Sequence, residues 1–562
     1  MAHETEPGLD ADERADEAAE GAGLPFEHRH AGGAVPAPAP GRKGFRAALD
    51  SVLPRSEFAD QRDILGGAGQ NVIGLVAGVL ATFATQIVMT RTLGASLFGV
   101  VVVATQFAFI ASAATRFGMD VANVRLVAIL VGRGEHGRVR ALVRKSAVIA
   151  TVVSAAFALL TFAFSSFLGR SLTSRPVQGK EAFWAAAFTI PFAAVTWAYL
   201  GGTRGLKIMR HTLYIFWIGQ PVGWIAFAIA GWFVAKNAGI TTLAYGLSWA
   251  VACALALWAW ERETRRFDAR TEGGGIPEER LGALLKFGAF RAPATLFAQL
   301  LFWTDLFVLA RFVPSDIVGV YGAAVRTAQS LLLFLTSLSL VFSPFVADLH
   351  ARGERDKLDA LYKNVTRWGL AATLPVLLAL AILPAPILRV FGEDFTKGDS
   401  ALVILILGMI VPVSVGTVGF ILIMVGRTGW DLLVYAGSFV IDIGIAFALA
   451  RPSVLGMRGA AIAQAVTLTS SAVARLLLVK RFVGIWPFDR WFLRLAPPAV
   501  AGGLAMWGAH ALLSGPKWLI DLGGSAIAGV VVYAVVLVAF GLRPGERRTI
   551  LSLASRLRGR AA

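Results

Sequence analysis

The chain has 562 residues, of which 56% are hydrophobic and 16% charged, with a formal net charge of +17 and one cysteine, Cys253. Soluble domains carry about 25% charged residues, so this composition excludes an ordinary soluble protein, and one cysteine excludes a disulfide framework. No aromatic–basic module accompanies the positive charge, which therefore points to loops beside anionic lipid headgroups and not to nucleic acid.

Residues 1–64 are polar and rich in Ala, Pro, Gly, Glu and Asp, and lack the apolar core of a signal peptide. They read as a disordered cytoplasmic tail, with a surface helix near its end leading to the membrane. His28 and His30 have no further ligands nearby, so no metal site is assigned to them.

From residue 65 onward, apolar runs of about 20 residues recur, the length a helix needs to cross a bilayer. A strand barrel would show short alternating segments instead. The pattern predicts an all-α polytopic membrane protein with about 14 transmembrane helices. Six expected spans, 65–90, 97–117, 143–168, 182–201, 213–234 and 240–260, make an N-terminal lobe over 65–262. A charged linker, 263–283, carries Gly273, Gly274, Gly275 and Pro277. Six more, 284–310, 317–346, 365–391, 401–425, 432–450 and 460–479, make a C-terminal lobe over 284–482. Two extra spans, 492–513 and 519–541, fill 483–542, and a basic tail closes the chain at 543–562.

With the N-terminus inside, the cytoplasmic loops and tails hold about 41 of the 53 Lys and Arg residues, as the positive-inside rule requires. Trp184, Trp232 and Trp518 then fall near outer ends, and Trp258, Trp260 and Trp491 near inner ends. Both termini are expected in the cytoplasm.

The two lobes share a pattern. Arg91 matches Arg311 and Gly99 matches Gly319 at a spacing of 220 (311 − 91 and 319 − 99). Arg133-Gly134-Glu135 matches Arg352-Gly353-Glu354 at a spacing of 219 (352 − 133). Six spans is an even number, so both copies enter from the same side. The repeat is parallel, and its two bundles are expected to enclose a central cavity.

An ionised side chain at mid-membrane costs about 2.5–3.5 kcal/mol even on the lenient insertion scale. Asp305, Arg326 and Asp442 therefore each need a partner or water. Asp305 and Arg326 lie on neighbouring spans at similar depth, which allows either a structural ion pair or a cavity site. In the second case Arg326 faces an anionic headgroup and Asp305 titrates or releases it. Their first-copy counterparts, Thr85 or Gln86 and Gln106, are polar and uncharged. Arg116, Asp120 and Arg125 cluster at the inner end of the second span. An arginine fork suits phosphate, but arginines at a membrane edge also snorkel. Arg291, Gln299, Gln86 and Gln106 are further polar candidates near the cavity. Asp442 is either a cation site or a helix-packing residue.

Other matches carry no chemistry. Residues 132–137 fit a GxGxxG pattern but sit in a loop with no preceding strand. Asn364-Val365-Thr366 fits a glycosylation acceptor on the cytoplasmic side. There is no P-loop and no nucleophile–His–acid set, so neither enzyme activity nor a cofactor is expected.

The runs Arg91–Gly99, Asp305, Gly319-Val320-Tyr321, Ala324-Val325-Arg326, Pro344–Ala347 and Phe391–Phe395, in this order, resemble bacterial polysaccharide flippases of the Wzx type. The likeness covers about 65–482. It implies the multidrug/oligosaccharidyl-lipid/polysaccharide (MOP) flippase fold, two six-helix lobes working by alternating access. It also implies an undecaprenyl-diphosphate-linked oligosaccharide as cargo, the bacterial cytoplasmic membrane as location, and membrane lipids and a polysaccharide polymerase or glycosyltransferases as partners. In that family Arg326, Arg116 and Arg125 would be lumen bases, and Asp305 the seventh-helix acid. The long acidic N-terminal tail departs from the family pattern, as does Pro314 where the first copy has Gly94. Three other readings stand beside it: a lipid II flippase, a cation-coupled multidrug antiporter of the same fold, and a non-transporting scaffold for a polymerase. Acids should dominate an antiporter cavity.

Overall fold

The computed structural model describes residues 59–265, 267, 282, 292–515 and 517–543. The expected N-terminal tail with His28 and His30, most of the linker, Arg291, the start of the span at 284 and the basic tail beyond 543 lie outside the described residues. All regular structure among the described residues is helical. Within the apolar segments a helix is the form in which each backbone N–H and C=O finds its partner inside the segment itself.

In chain order the helices are α1 (Ala59–Thr115), α2 (Met119–Gly132), α3 (His136–Ala163), α4 (Ser165–Leu172), α5 (Pro176–Gly205), α6 (Arg210–Trp232) and α7 (Ala238–Thr264). Then follow α8 (Ala292–Leu300), α9 (Thr304–Phe312), α10 (Ser315–Ala351), α11 (Arg355–Ile382), α12 (Pro384–Arg389), α13 (Asp399–Val415), α14 (Val418–Met424), α15 (Thr428–Leu449) and α16 (Met457–Phe482). Last come α17 (Arg490–Leu493), α18 (Ala496–Leu513) and α19 (Trp518–Val536). By length and apolarity ten described helices, or eleven if the bent α8–α9 pair is one span, are able to cross a membrane, against the fourteen expected. The first two expected spans run together through a kink at Gly94. Helix α18 contains Pro497, Pro498 and His510, which dilute its apolar character.

Helix α5 is the hub of the first group and packs against α1, α2, α3 and α7. Its buried face is mostly small: Ala182, Ala186, Ala193, Ala198, Gly201 and Gly205 among others. Small side chains let helices approach closely where no hydrophobic force separates protein from lipid. In the second group α16 packs on α13 and α15, and α10 on α11 and α13. Helices α18 and α19 pack on each other and against α11, where the Tyr533 hydroxyl donates to the Ala371 carbonyl at 2.7 Å. Helix α1 lies along α10 and is the main contact between the groups.

The repeat is visible in the backbone. Gly134 and Gly353 both take positive φ (72° and 69°). In each copy the following glutamate N–H reaches back over the helix end, Glu135 to the Leu130 carbonyl and Glu354 to that of Leu349. The same acids make matching ion pairs one turn on, Glu135 with Arg138 at 2.6 Å and Glu354 with Lys357 at 2.7 Å. This is one left-handed helix stop, used twice.

Two segments differ from expectation. Residues after 117 form helix α2 and not a loop, with Phe117 and Gly118 in positive φ turning the chain into it. The seventh span is bent by 50° between α8 and α9. The break frees backbone carbonyls, and that of Phe302 accepts bonds from the side-chain amides of Gln329 (3.4 Å) and Gln464 (3.3 Å). A broken helix is tolerated in a bilayer only when its freed groups are satisfied again in this way.

Candidate functional site

A central cavity of about 470 Å³ lies between the two groups. The first group contributes Gln86, Gln106, Phe83 and Phe109 from α1, Phe216, Trp217 and Gln220 from α6, and Trp249 from α7. The second contributes Gln299, Phe302, Trp303, Arg326 and Gln329. Five pairs of lining residues are repeat mates separated by 220: Val79 and Gln299, Thr82 and Phe302, Phe83 and Trp303, Gln106 and Arg326, Phe109 and Gln329. The cavity therefore straddles the pseudo-two-fold relation between the copies.

Local irregularities aim its side chains. Pro221 has no N–H to give the carbonyl one turn back, and α6 widens to a π-helical turn over Leu213–Gly219 just before it. That turn presents Phe216 and Trp217 to the cavity. The carbonyl of Pro221 accepts from the Thr85 hydroxyl at 3.0 Å. The α8–α9 break brings Trp303 beneath Arg326, whose guanidinium lies 4.7 Å from the ring centroid. Among the described residues Arg326 Nε has no hydrogen-bond partner, nor does the buried amide oxygen of Gln86. No Asp or Glu among the described residues lines this cavity.

Sequence reasoning placed Gln86, Gln106, Gln299 and Arg326 near the cavity, and all four line it. The proposed ion pair between Asp305 and Arg326 does not form. Asp305 is fully buried, its carboxylate accepts the Tyr321 hydroxyl, and it lies outside the cavity lining. The bend before Thr304 turns this helix so that Trp303, not Asp305, faces inward. Asp305 instead comes within electrostatic reach of Asp442 on α15, which packs against α9. Asp442 is also fully buried and accepts from the Thr467 hydroxyl at 3.3 Å. Among the described residues Oδ1 of Asp305 and Oδ2 of Asp442 find no side-chain hydrogen-bond partner.

Arg116 and Arg125 also lie outside the cavity lining. Arg116 is buried, pairs with Asp120 at 3.3 Å and stacks on Trp197 at 5.1 Å, holding the α1–α2 turn to α5. Arg125 is exposed. The residues missed by sequence reasoning are the aromatics and Gln220 and Gln329. Adding 220 to Phe83 and Phe109 would have found Trp303 and Gln329. Nothing in the sequence marks which face of α6 turns inward.

One end of the cavity is sealed. The rings of Phe83 and Phe391 lie 6.3 Å apart, and those of Phe98 and Phe395 lie 6.0 Å apart. Arg91 donates to the carbonyls of Val390 (2.8 Å) and Arg389 (3.3 Å). Ser174 and Ser315 exchange hydroxyl and backbone bonds at 3.0 Å. Gly99 and Gly319 meet backbone to backbone: a Cβ on either would stand 2.9 Å from the other's nitrogen and would collide with a carbonyl, of Ser315 or Ala95 respectively.

The family model for polysaccharide biosynthesis proteins matches residues 66–350. No curated protein sequence matches the chain. Among solved structures, an inward-facing multidrug resistance MATE transporter of the MOP superfamily is similar at 15% identity and TM-score 0.61, over 78% of this chain and 97% of its own. The lipid II flippase MurJ in an inward closed conformation is similar at 16% identity and TM-score 0.58, over 82% and 98%. A MATE transporter of Vibrio cholerae aligns at 15% identity and TM-score 0.55, over 74% and 95%. The chain is a multi-pass membrane protein that belongs to the polysaccharide biosynthesis protein family and shares its fold with the MATE and MurJ structures.

Proposed function

We propose that the chain flips an undecaprenyl-diphosphate-linked oligosaccharide from the inner to the outer leaflet of the cytoplasmic membrane by alternating access, with both termini in the cytoplasm. The carrying observation is the cavity lining: aromatic rings, glutamine amides and, among the described residues, one base and no acid. Aromatic faces suit the apolar faces of sugar rings, and each glutamine offers both donors and acceptors to hydroxyl groups. Arg326 gives charge-assisted bonds to a phosphate or an acidic sugar. On this reading Gln86, Gln106 and Arg326 bind cargo, and Arg116 and Arg125 act outside the cavity, Arg116 by holding a helix end. An acid-free lining counts against a multidrug antiporter.

Asp305 and Asp442 are the coupling pair in this proposal. Two buried carboxylates, each with one oxygen that no described side chain hydrogen-bonds, take up a proton or a monovalent cation, and release of it returns like charges to a low-dielectric site. Glycosyltransferases would supply the cargo and a polymerase would consume it.

The test is a deletion strain complemented with wild type or Arg326→Ala, its polyprenyl-diphosphate lipids read by mass spectrometry. The expected result is accumulated oligosaccharide-lipid and loss of a surface polymer in the variant at native abundance. Normal surface polysaccharide would remove Arg326 from the cargo site. Accumulated lipid II with lysis in the deletion would make lipid II the cargo, the second reading that the MurJ-like fold supports.

A further inference from the structure

The outer flank of the first helix group carries a second cavity, of about 910 Å³, that shares no lining residue with the central one. Three bases from the first turns of α3 reach into it, Arg140, Arg144 and Lys145. Its other wall is the end of α7, with Leu257, Trp260 and Glu261, and Tyr199 of α5 adds a phenol. Glu261 is ion-paired with Arg140. Arg144 and Lys145 have no carboxylate partner among the described residues.

The lining changes character along both helices. On α3, one turn after Arg144, comes Val148, which is 54% exposed. On α7, one turn before Glu261, comes Leu257. The cleft is thus basic at the helix ends and apolar toward the helix middles. That is the order in which a bilayer lipid presents a phosphate and then an acyl chain. Helix α3 is a lipid-facing element, since only 28% of its apolar window is buried and Val152, Leu159 and Phe162 are exposed beyond Val148.

We propose that this cleft is a binding site for an anionic phospholipid of the surrounding bilayer. The lipid phosphate sits on Arg144 and Lys145, and its first acyl segment runs along Val148 and Leu257. The apolar walls favour a lipid over free phosphate. The separation from the central cavity favours a resident lipid over the cargo. The ligand bridges α3 and α7 beside the Arg140–Glu261 ion pair that already joins them.

The test uses the purified full-length chain in detergent, titrated with phosphatidylglycerol or phosphatidylcholine and read by native mass spectrometry. The R144A/K145A variant is expected to lose phosphatidylglycerol affinity about thirty-fold, the weight of two bases at an anionic lipid surface, with phosphatidylcholine binding unchanged. Lys145→Gln alone is expected to lose about fivefold, which keeps the test decisive should the double variant fold poorly. Unchanged phosphatidylglycerol binding in both variants overturns the proposal. Displacement of the lipid by equimolar inorganic phosphate overturns it in favour of a plain anion site. Loss of undecaprenyl diphosphate binding along with phosphatidylglycerol overturns it in favour of a cargo site.

Discussion

The two halves of this molecule are alike in scaffold and unlike in charge. Gln106 and Arg326 stand at matched positions in the same cavity, yet only the second can hold a phosphate ionically. Phe83 matches Trp303, which adds a larger π-face directly under that arginine. Thr85 matches Asp305, but the first donates a hydroxyl to a cavity-side carbonyl while the second is buried behind the wall with Asp442. Duplication thus supplied a symmetric container, and among the described residues only the second copy gives its lining a charged side chain. An asymmetric cargo, with a charged end and an uncharged end, fits such a container in one orientation.

That contrast can be broken at its strongest point first. Gly99→Val or Gly319→Val places a branched side chain into a backbone–backbone contact, so the sealed end should not form. In a Cys253→Ala background, cross-linking between S174C and S315C should be lost together with transport; retained cross-linking with normal transport would refute the seal. Next, Arg326→Gln makes the second copy resemble the first and should lower transport about hundredfold, the weight of two charge-assisted bonds. The swap Gln106→Arg with Arg326→Gln sharpens the comparison. Partial recovery means the two positions are interchangeable around the pseudo-axis, and no recovery means the aromatic setting of Arg326 matters. Third, Asp442→Asn should leave protein abundance intact, because it removes a buried like charge, and should slow transport about tenfold. It should also abolish the response to imposed pH or sodium gradients in vesicles; a preserved response would clear the pair of coupling. Smallest of all, Lys357→Ala removes an exposed ion pair of the second helix stop and should lower stability by about 0.3–0.5 kcal/mol, within the scatter of a thermal melt.

Much of the fold was legible because it rests on two coarse signals, apolar run length and the 220-residue spacing. The matched Arg-Gly-Glu triplets correctly marked equivalent helix ends, since a positive-φ stop needs glycine at one place. The α8–α9 break was not legible. It contains neither proline nor glycine, and the groups that satisfy it come from other helices, Gln329 on the next one and Gln464 some way along the chain. The reading of Asp305 and Arg326 as neighbours rested on helical rise from Arg311 and Asp316, which sets position along a helix and not the face a side chain takes. Arg326, Gln86 and Gln106 were legible because polar residues in apolar spans must face protein or water. The cavity aromatics were not, because an apolar ring in a span faces lipid as readily as a lumen.

The contact of Gly99 with Gly319 ties the history of the two copies together. At most positions a duplicated gene is free to let each half drift under its own demands. Here each half presses bare main chain onto the other, so a side chain gained by one would have to be hosted by its sibling. The halves can diverge in what they carry, as the cavity residues have, but at this point they remain a single inherited unit.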